Sequence, residues 1–546
     1  MLRSLPLFAL AMAGPALAAP APDPLARNFE ADMRFLADDL LEGRGLGQRG
    51  HEIAAQFVAN RFARLGLQPA GTEGWFQRVN FAESRFASAS ETMVLALPGG
   101  NVSLLNAQGM SLAPAATAGD ESISAPLVFV GYGLQDKAQG IDDFAGLDLK
   151  GKIAVALTGA PDAMNTEIAA HLARSSKAIG AQAAGAIGLI QVRTLKEAAR
   201  LPWDKFVKSA RNPRRVLLGP DGKAMGDGAG LAVRATISDE AAAALFAGSQ
   251  LDFAAVRAAA AKGAVKGFPL AGVATISRAT SITRISSPNV LALLPGTDKR
   301  LANEVVLMVG HLDHVGIKSD AKPGEDAIYN GAMDNAAGST TLLQAAEALA
   351  KAPPKRSVLF MATTAEESGL LGAYYFAAQP SLPMARIVGV VNIDMPILTC
   401  DFGDVVAFGA DRSTIGPLVA AAAKGLGLAL SPDPQPEEAI FTRSDHYPLV
   451  RAGVPSVFLK TGWKDAKGGL ACKDAERKFR LNNYHEVSDQ LDLPFDWAVA
   501  AKWTRLNIDI LRRMANAGQK PLWYKGDYFG DAVAPDAPKA NPPKLP

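Results

Sequence analysis

Cysteine is nearly missing from this chain. Cys400 and Cys472 are the two among 546 residues, which excludes a disulfide-built scaffold and any four-cysteine zinc site. A metal bound here must be held by His, Asp and Glu. Charge of one sign is also lacking: 56 Lys and Arg stand against 54 Asp and Glu, for a formal net charge of +2. With no basic block in the sequence, the chain has no electrostatic footprint for nucleic acid or anionic lipid. Past the N-terminus no apolar run reaches the roughly 18 residues that a membrane-crossing helix needs. What is present is an ordinary globular composition, 49% hydrophobic and 20% charged, over a length too great for one compact core. Two folded domains are expected.

The first 18 residues read as an export leader. Arg3 supplies the basic start, residues 5–12 an apolar stretch, and Ala16-Leu17-Ala18 a small-residue cleavage site followed by Pro20 and Pro22. A periplasmic or secreted protein without a membrane anchor is therefore expected, because no cysteine follows the apolar stretch to accept a lipid. In that oxidising setting Cys400 and Cys472 can pair, although the sequence leaves the pairing open.

Residues 31–67 read as two helices around a glycine-rich break at 43–50, with Ile53, Phe57, Val58, Phe62 and Leu65 at helical spacing. From about residue 113 the pattern changes to short strands (126–132, 152–157, 186–192) and a small-residue helix at 178–184. Residues 113–265 are thus read as a β-rich insert, carrying only His171 of the six histidines. Beyond it, strands at 304–310, 356–364, 387–395 and 454–461 alternate with helices such as 337–350, the rhythm of an α/β sheet covered by helices. The expected division is a leader (1–18), the first part of the α/β domain (19–112), the insert (113–265), the second part (266–525) and a tail (526–546). Five prolines after Gly530 predict that the tail lacks regular structure.

Ligands collect beyond the carboxyl ends of strands in such sheets, and polar residues gather there. His311 and Asp313 follow the strand at 304–310, and Asp313 is placed to orient the His311 ring. Asn330-Gly331-Ala332-Met333-Asp334-Asn335 precedes a helix. Its small residues let backbone approach an ion, and the carboxylate of Asp334 can bridge two cations; alone it also reads as a helix cap. Glu366 and Glu367 are adjacent carboxylates that repel unless a cation stands between them. Glu367 is read as a ligand and Glu366 as the general base. Asp394 ends an apolar strand and needs a partner, while His485 arrives from a distant loop beside Tyr484, a donor for a developing oxyanion or a plain packing residue. His314 and His446 read as hydrogen-bonded structural histidines. Counting ligands gives His311, Asp394 and shared Asp334 at one site, and His485, Glu367 and the same Asp334 at another. Zinc suits this donor set, with cobalt and manganese still open. Two such ions would acidify a shared water and clamp a carbonyl.

The ordered set His311-x-Asp313, Asp334-Asn335, Glu366-Glu367, Asp394-Met395 and Tyr484-His485 resembles metallopeptidase family 28, the secreted bacterial leucyl aminopeptidases. The resemblance implies a three-layer α/β/α zinc-exopeptidase domain with a mixed central sheet, two zinc ions and peptide substrates. It implies metal ligation by His311, Asp334, Glu367, Asp394 and His485, with Glu366, Asp313 and Tyr484 as catalytic residues. Thr442-Arg443-Ser444-Asp445-His446 resembles the family's substrate-side loop, with Arg443 as a binding residue. The insert is similar to a protease-associated domain through its 127–133 and 151–155 segments. Carboxypeptidases and dipeptidases share this architecture, as do single-zinc glutaminyl cyclases and transferrin-receptor-type binding proteins with degenerate metal sites. Retention of every expected ligand disfavours the last two, while Arg443 or Lys460 could bind a substrate carboxylate and keeps the carboxypeptidase alternative open.

Overall fold

The computed structural model describes residues 23–263 and 265–543; the leader read at 1–18 lies outside them. Four strands form the centre: Val305–His311, Ser357–Thr363, Ile387–Ile393 and Ser456–Thr461. Every residue in them is buried, which is why they read as unbroken apolar runs instead of alternating ones. Val305–His311 lies parallel to both Ser357–Thr363 and Ile387–Ile393, and the latter is parallel to Ser456–Thr461. All four carboxyl ends therefore point the same way. Antiparallel strands flank them, Asp404–Phe408 on one side and the end of Phe268–Leu294 on the other, so the sheet is mixed. Helices Pro24–Leu36, Arg49–Arg64, Ala337–Ala350, Ile415–Gly425 and Trp497–Asn516 cover one face around Phe29, Phe62, Leu343 and Trp503. Leu371–Ala378 and His446–Arg451 cover the other around Phe376 and Leu449.

The β-rich unit has its own core, built on Phe129, Ile153, Ile190, Val233 and Phe246. Its parallel strands Ile153–Leu157, Gly188–Val192 and Val233–Ile237 lie edge to edge, with the helix Thr166–Ala183 beside them. Its packing extends beyond the 113–265 of the sequence reading. Met93, Leu95, Leu104 and Met110 enter the same core on one side, and Leu270, Ala274 and Ile276 on the other. The physical reason is the 27-residue strand Phe268–Leu294. Its first half pairs with Thr92–Leu97 and Gly119–Phe129 of the insert, and its second half with Phe76–Phe86 and Ser357–Thr363. One continuous strand serves both cores, leaving no break between them for a sequence reading to find.

The tail also departs from expectation. Tyr528–Val533 is a helix capped by Asp527, and Ala540 folds back to exchange backbone hydrogen bonds with Trp523 and Lys525 at 2.9 Å. Cys400 and Cys472 are paired, with Cα atoms 5.4 Å apart. No helix among the described residues is long and apolar enough to cross a membrane.

Candidate metal centre

The parallel strand ends deliver the polar residues to one place. His311 is the last residue of its strand, and its ring Nε2 lies 3.2 Å from Asp334 Oδ1 and 3.3 Å from Asp394 Oδ1. On the other oxygen of the same aspartate, Oδ2, His485 Nε2 approaches to 3.2 Å, and it stands 3.0 Å from Glu367 Oε2. Asp334 thus faces one histidine with each carboxylate oxygen. His311 and Asp334 are buried and Glu366 is half-buried, whereas the His485 side chain stays 39% exposed and marks the open side. Tyr484 stacks on the His485 ring with centroids 3.9 Å apart. Arg443 is exposed, held 2.7 Å from Glu438, and lines a small cavity together with Asp334, Glu366 and His485.

Asp334 does not cap the helix Ala337–Ala350. That part falls to Asn335, whose Oδ1 accepts from the Gly338 amide at 3.0 Å and the Met395 amide at 3.1 Å, while its Nδ2 donates to Ile393 O. With a further bond from its Nδ2 to His311 O at 3.4 Å, one side chain pins the ends of two strands to the start of a helix. Gly331, at φ +56°, is required here because a Cβ would fall 2.5 Å from the His314 ring.

Asp313 acts differently from the sequence expectation. The His311 Nδ1 lies 3.1 Å from the main-chain carbonyl of Asp313, not from its carboxylate. The carboxylate instead accepts the Glu366 amide at 3.1 Å and the Glu367 amide at 3.4 Å, so it fixes the turn carrying both glutamates. A spacing of two residues brings the segment back toward the ring, but a backbone oxygen gets there first.

His314 is the hydrogen-bonded histidine that the sequence reading expected, with a site carboxylate as its partner, while Asp489 and Arg44 escaped that reading. His314 Nδ1 sits 2.7 Å from Glu367 Oε1, a hydrogen bond that orients this carboxylate. The Asp489 carboxylate accepts the Met333 and Asp334 amides at 2.9 and 3.0 Å. Arg44 is fully buried and donates to the carbonyls of Leu312, Asn330 and Gly331, with a further bond to Leu36 O. It ties the two ligand-bearing loops together from beneath. The available signals were a charged residue enclosed by Gly43 and Gly45, and an acid four positions past His485. His446 is buried with Nε2 on Phe441 O, the structural position expected of it.

The electrostatics follow from crowding carboxylates. Burial opposes a charge on His485, but the contacts with Asp334 and Glu367 outweigh it and push its pKa up to about 10. His311 is likewise driven well above its ordinary value against the cost of burial, by the negative charge of Glu366 and Asp394. Burial raises Glu366 far above the usual carboxylate range, and Asp394 and Glu367 add to the effect against His311. Asp445, behind the site and bonded to Thr363, is pushed up to about 7 by burial.

Two features fit these residues to divalent cations. Buried carboxylates outnumber the imidazoles beside them, an arrangement that positive charge relieves. The donor spacings are telling as well: corners about 2.0–2.1 Å from a tetrahedral centre are roughly 3.3–3.4 Å apart, close to the separations between His311, Asp334 and Asp394. The groupings His311, Asp334, Asp394 and His314, Asp334, Glu367 could each hold an ion, as could His485 with Asp334 and Glu367 by the contacts above.

A helix-covered mixed sheet that gathers histidines and carboxylates at its parallel strand ends is the build of a metal-dependent hydrolase. Residues 289–511 match the sequence model of peptidase family M28. A probable zinc metalloprotease of Pyrenophora teres f. teres is 31% identical over 116 residues, 20% of this chain and 22% of the relative. One from Leptosphaeria maculans is 32% identical over 124 residues, 22% of this chain and 26% of that protein. The chain thus spans about a quarter or less of the length of these curated relatives. An aminopeptidase from Aneurinibacillus sp. strain AM-1 shares the fold, with a TM-score of 0.50 at 20% identity over 91% of this chain and 95% of the other.

Proposed function

We propose that the protein is an exported aminopeptidase with two zinc ions, hydrolysing the first peptide bond of short peptides, and that its β-rich insert is a protease-associated domain. The observation that carries this reading is the Asp334 carboxylate, with His311 on one oxygen and His485 on the other at 3.2 Å each. His311, Asp394 and Asp334 would hold one ion; Asp334, Glu367 and His485 would hold the second. Ions so held would supply Lewis-acid polarisation of the scissile carbonyl and would make water a stronger acid.

The chain's own groups handle the proton and the substrate. Glu366, whose proton affinity burial raises, takes a proton from water on its carboxylate and returns it to the nitrogen of the leaving amine. Asp313 fixes the amides on both sides of that task. The Tyr484 phenol is kept protonated by burial and by the surrounding carboxylates, so its hydroxyl stays a donor for the developing oxyanion. A cavity of about 80 Å³ touches Glu366, Asp394, Tyr484 and His485, with Met395, Ile440 and Phe458 as its apolar side; it suits the first side chain of the substrate.

The test pairs chelation with a proton-transfer variant. Peptides blocked at the N-terminus should resist the enzyme, unblocked ones should be cleaved, and chelator should abolish cleavage. Glu366→Gln should retain two metal equivalents by elemental analysis while kcat falls roughly 10²–10⁴-fold. Normal turnover in that variant removes Glu366 as the base, and cleavage from the C-terminal end would make the enzyme a carboxypeptidase.

A further inference from the structure

Beside the proposed metal centre lies a much larger cavity of about 920 Å³, walled by the insert on one side and by the α/β domain on the other. Glu366 and Glu367 form its edge toward the metal ligands. Its walls carry six arginines: Arg174, Arg214, Arg215 and Arg234 from the insert side, Arg443 and Arg451 from the other. Apart from the two glutamates, Asp227 is the one carboxylate among its lining residues.

Following each charge shows which are already compensated. Arg451 holds Asp227 through both of its oxygens at 2.8 and 3.1 Å. Arg215 lies 3.0 Å from Glu83, and Arg443 2.7 Å from Glu438. The other three have no carboxylate at ion-pair distance among the described residues. Arg174 donates to the Thr442 carbonyl and rests over the Tyr447 ring. Arg234 donates to the carbonyls of Asp227 and Gly228, and its buried Nε has no partner. Arg214 is half-buried on the strand Arg214–Leu218 with no side-chain partner; burial, with Arg234 and Arg278 nearby, lowers its pKa to about 10. Partly desolvated guanidinium groups that repel one another are costly unless an anion joins them, and their planar forks match a carboxylate.

We infer that this cleft receives the downstream part of the substrate and binds a carboxylate there, on Arg214, Arg234 and Arg174. The inference rests on the aminopeptidase reading, because it requires the peptide to run from the metal ligands past Glu366 into the cleft. The volume lies at the upper end of the roughly 300–1,000 Å³ of small-ligand pockets, room for a few residues but not for a folded chain. Leu370, Leu371 and Tyr374 also line the cavity and suit the side chains between the cleaved bond and that carboxylate. Two carboxylates fit the same chemistry: the C-terminus of a short peptide and an acidic side chain.

The experiment uses the metal-loaded full chain and four substrates sharing the first residue cleaved fastest in an arylamide series. They are that arylamide, the X-Gly-Gly free acid, the X-Gly-Gly amide and the X-Gly-Glu amide. The free acid should exceed its amide at least tenfold in kcat/KM, chiefly through KM, and Arg214→Gln should bring that ratio toward one. Restored cleavage of the X-Gly-Glu amide means that a side-chain carboxylate also serves; failure to restore it assigns the site to the C-terminus. Both outcomes support the inference. Equal kcat/KM for free acid and amide in the unaltered enzyme overturns it and leaves the aminopeptidase reading intact, and this comparison needs no variant to fold. If no substrate, arylamide included, shows chelator-sensitive cleavage, the underlying reading falls and takes this one with it.

Discussion

Asp489 accepts the Met333 and Asp334 amides and so sets where the Asp334 carboxylate stands without touching the proposed metals itself. Asp489→Asn keeps the shape but presents one oxygen where two are needed, turning an amide toward an amide. Metal affinity should fall about 10–100-fold, read by competition with a chromogenic chelator, with the fold retained by circular dichroism. Residues of this kind are hard to read in a sequence because their partners are backbone amides, which every position has. His311, Asp334, Glu366, Glu367, Asp394 and His485 were legible because histidine and paired acids at strand ends are costly without a purpose. His314 passed as structural because its partner, Glu367, lies 53 residues away. For Asp313 the residue was found and the contact misread: a spacing of two constrains where the chain goes, not which of its oxygens meets the ring.

The helix Ala471–Asn482 leads into Tyr484 and His485, and its second residue, Cys472, is tied to Cys400 in the segment that follows Asp394. The disulfide therefore joins the approaches to two proposed ligands, His485 and Asp394. It closes a loop spanning 72 residues, for which chain entropy gives about 4 kcal/mol of stabilisation. Cys400→Ser should lower the thermal midpoint by a corresponding amount, and reductant should lower the unaltered protein to the same level in the same scan. The central strands were legible because runs buried on both faces carry no polar interruption. The start of the insert was not, because Thr92–Leu97 and Gly100–Leu105, which send Met93, Leu95 and Leu104 into its core, read like strands of any sheet.

The insert and the α/β domain also meet through half-buried charge. Arg412 pairs with Glu167 of the helix Thr166–Ala183 and, at 2.8 Å, with Asp527, and it lies over the Phe441 and Phe529 rings. His171 adds a 2.7 Å hydrogen bond to Tyr447, and Tyr528 another to Asp136. Arg412→Ala would leave Glu167 and Asp527 half-buried without their cation, costing up to about 3 kcal/mol. Calorimetry should then resolve a separate, earlier transition for the insert, with proteolytic nicking near residue 166; a single unshifted transition would mean that other contacts suffice. None of these pairings is visible in sequence, since each joins residues more than 200 positions apart or links a tail that composition alone marks as formless. The strand Phe268–Leu294 has a practical consequence for anyone trimming the gene. A clone cut at either border of the insert severs a ladder shared by both halves, leaving raw β edges with unpaired amides. Such a fragment should precipitate through edge-to-edge association before it can be assayed.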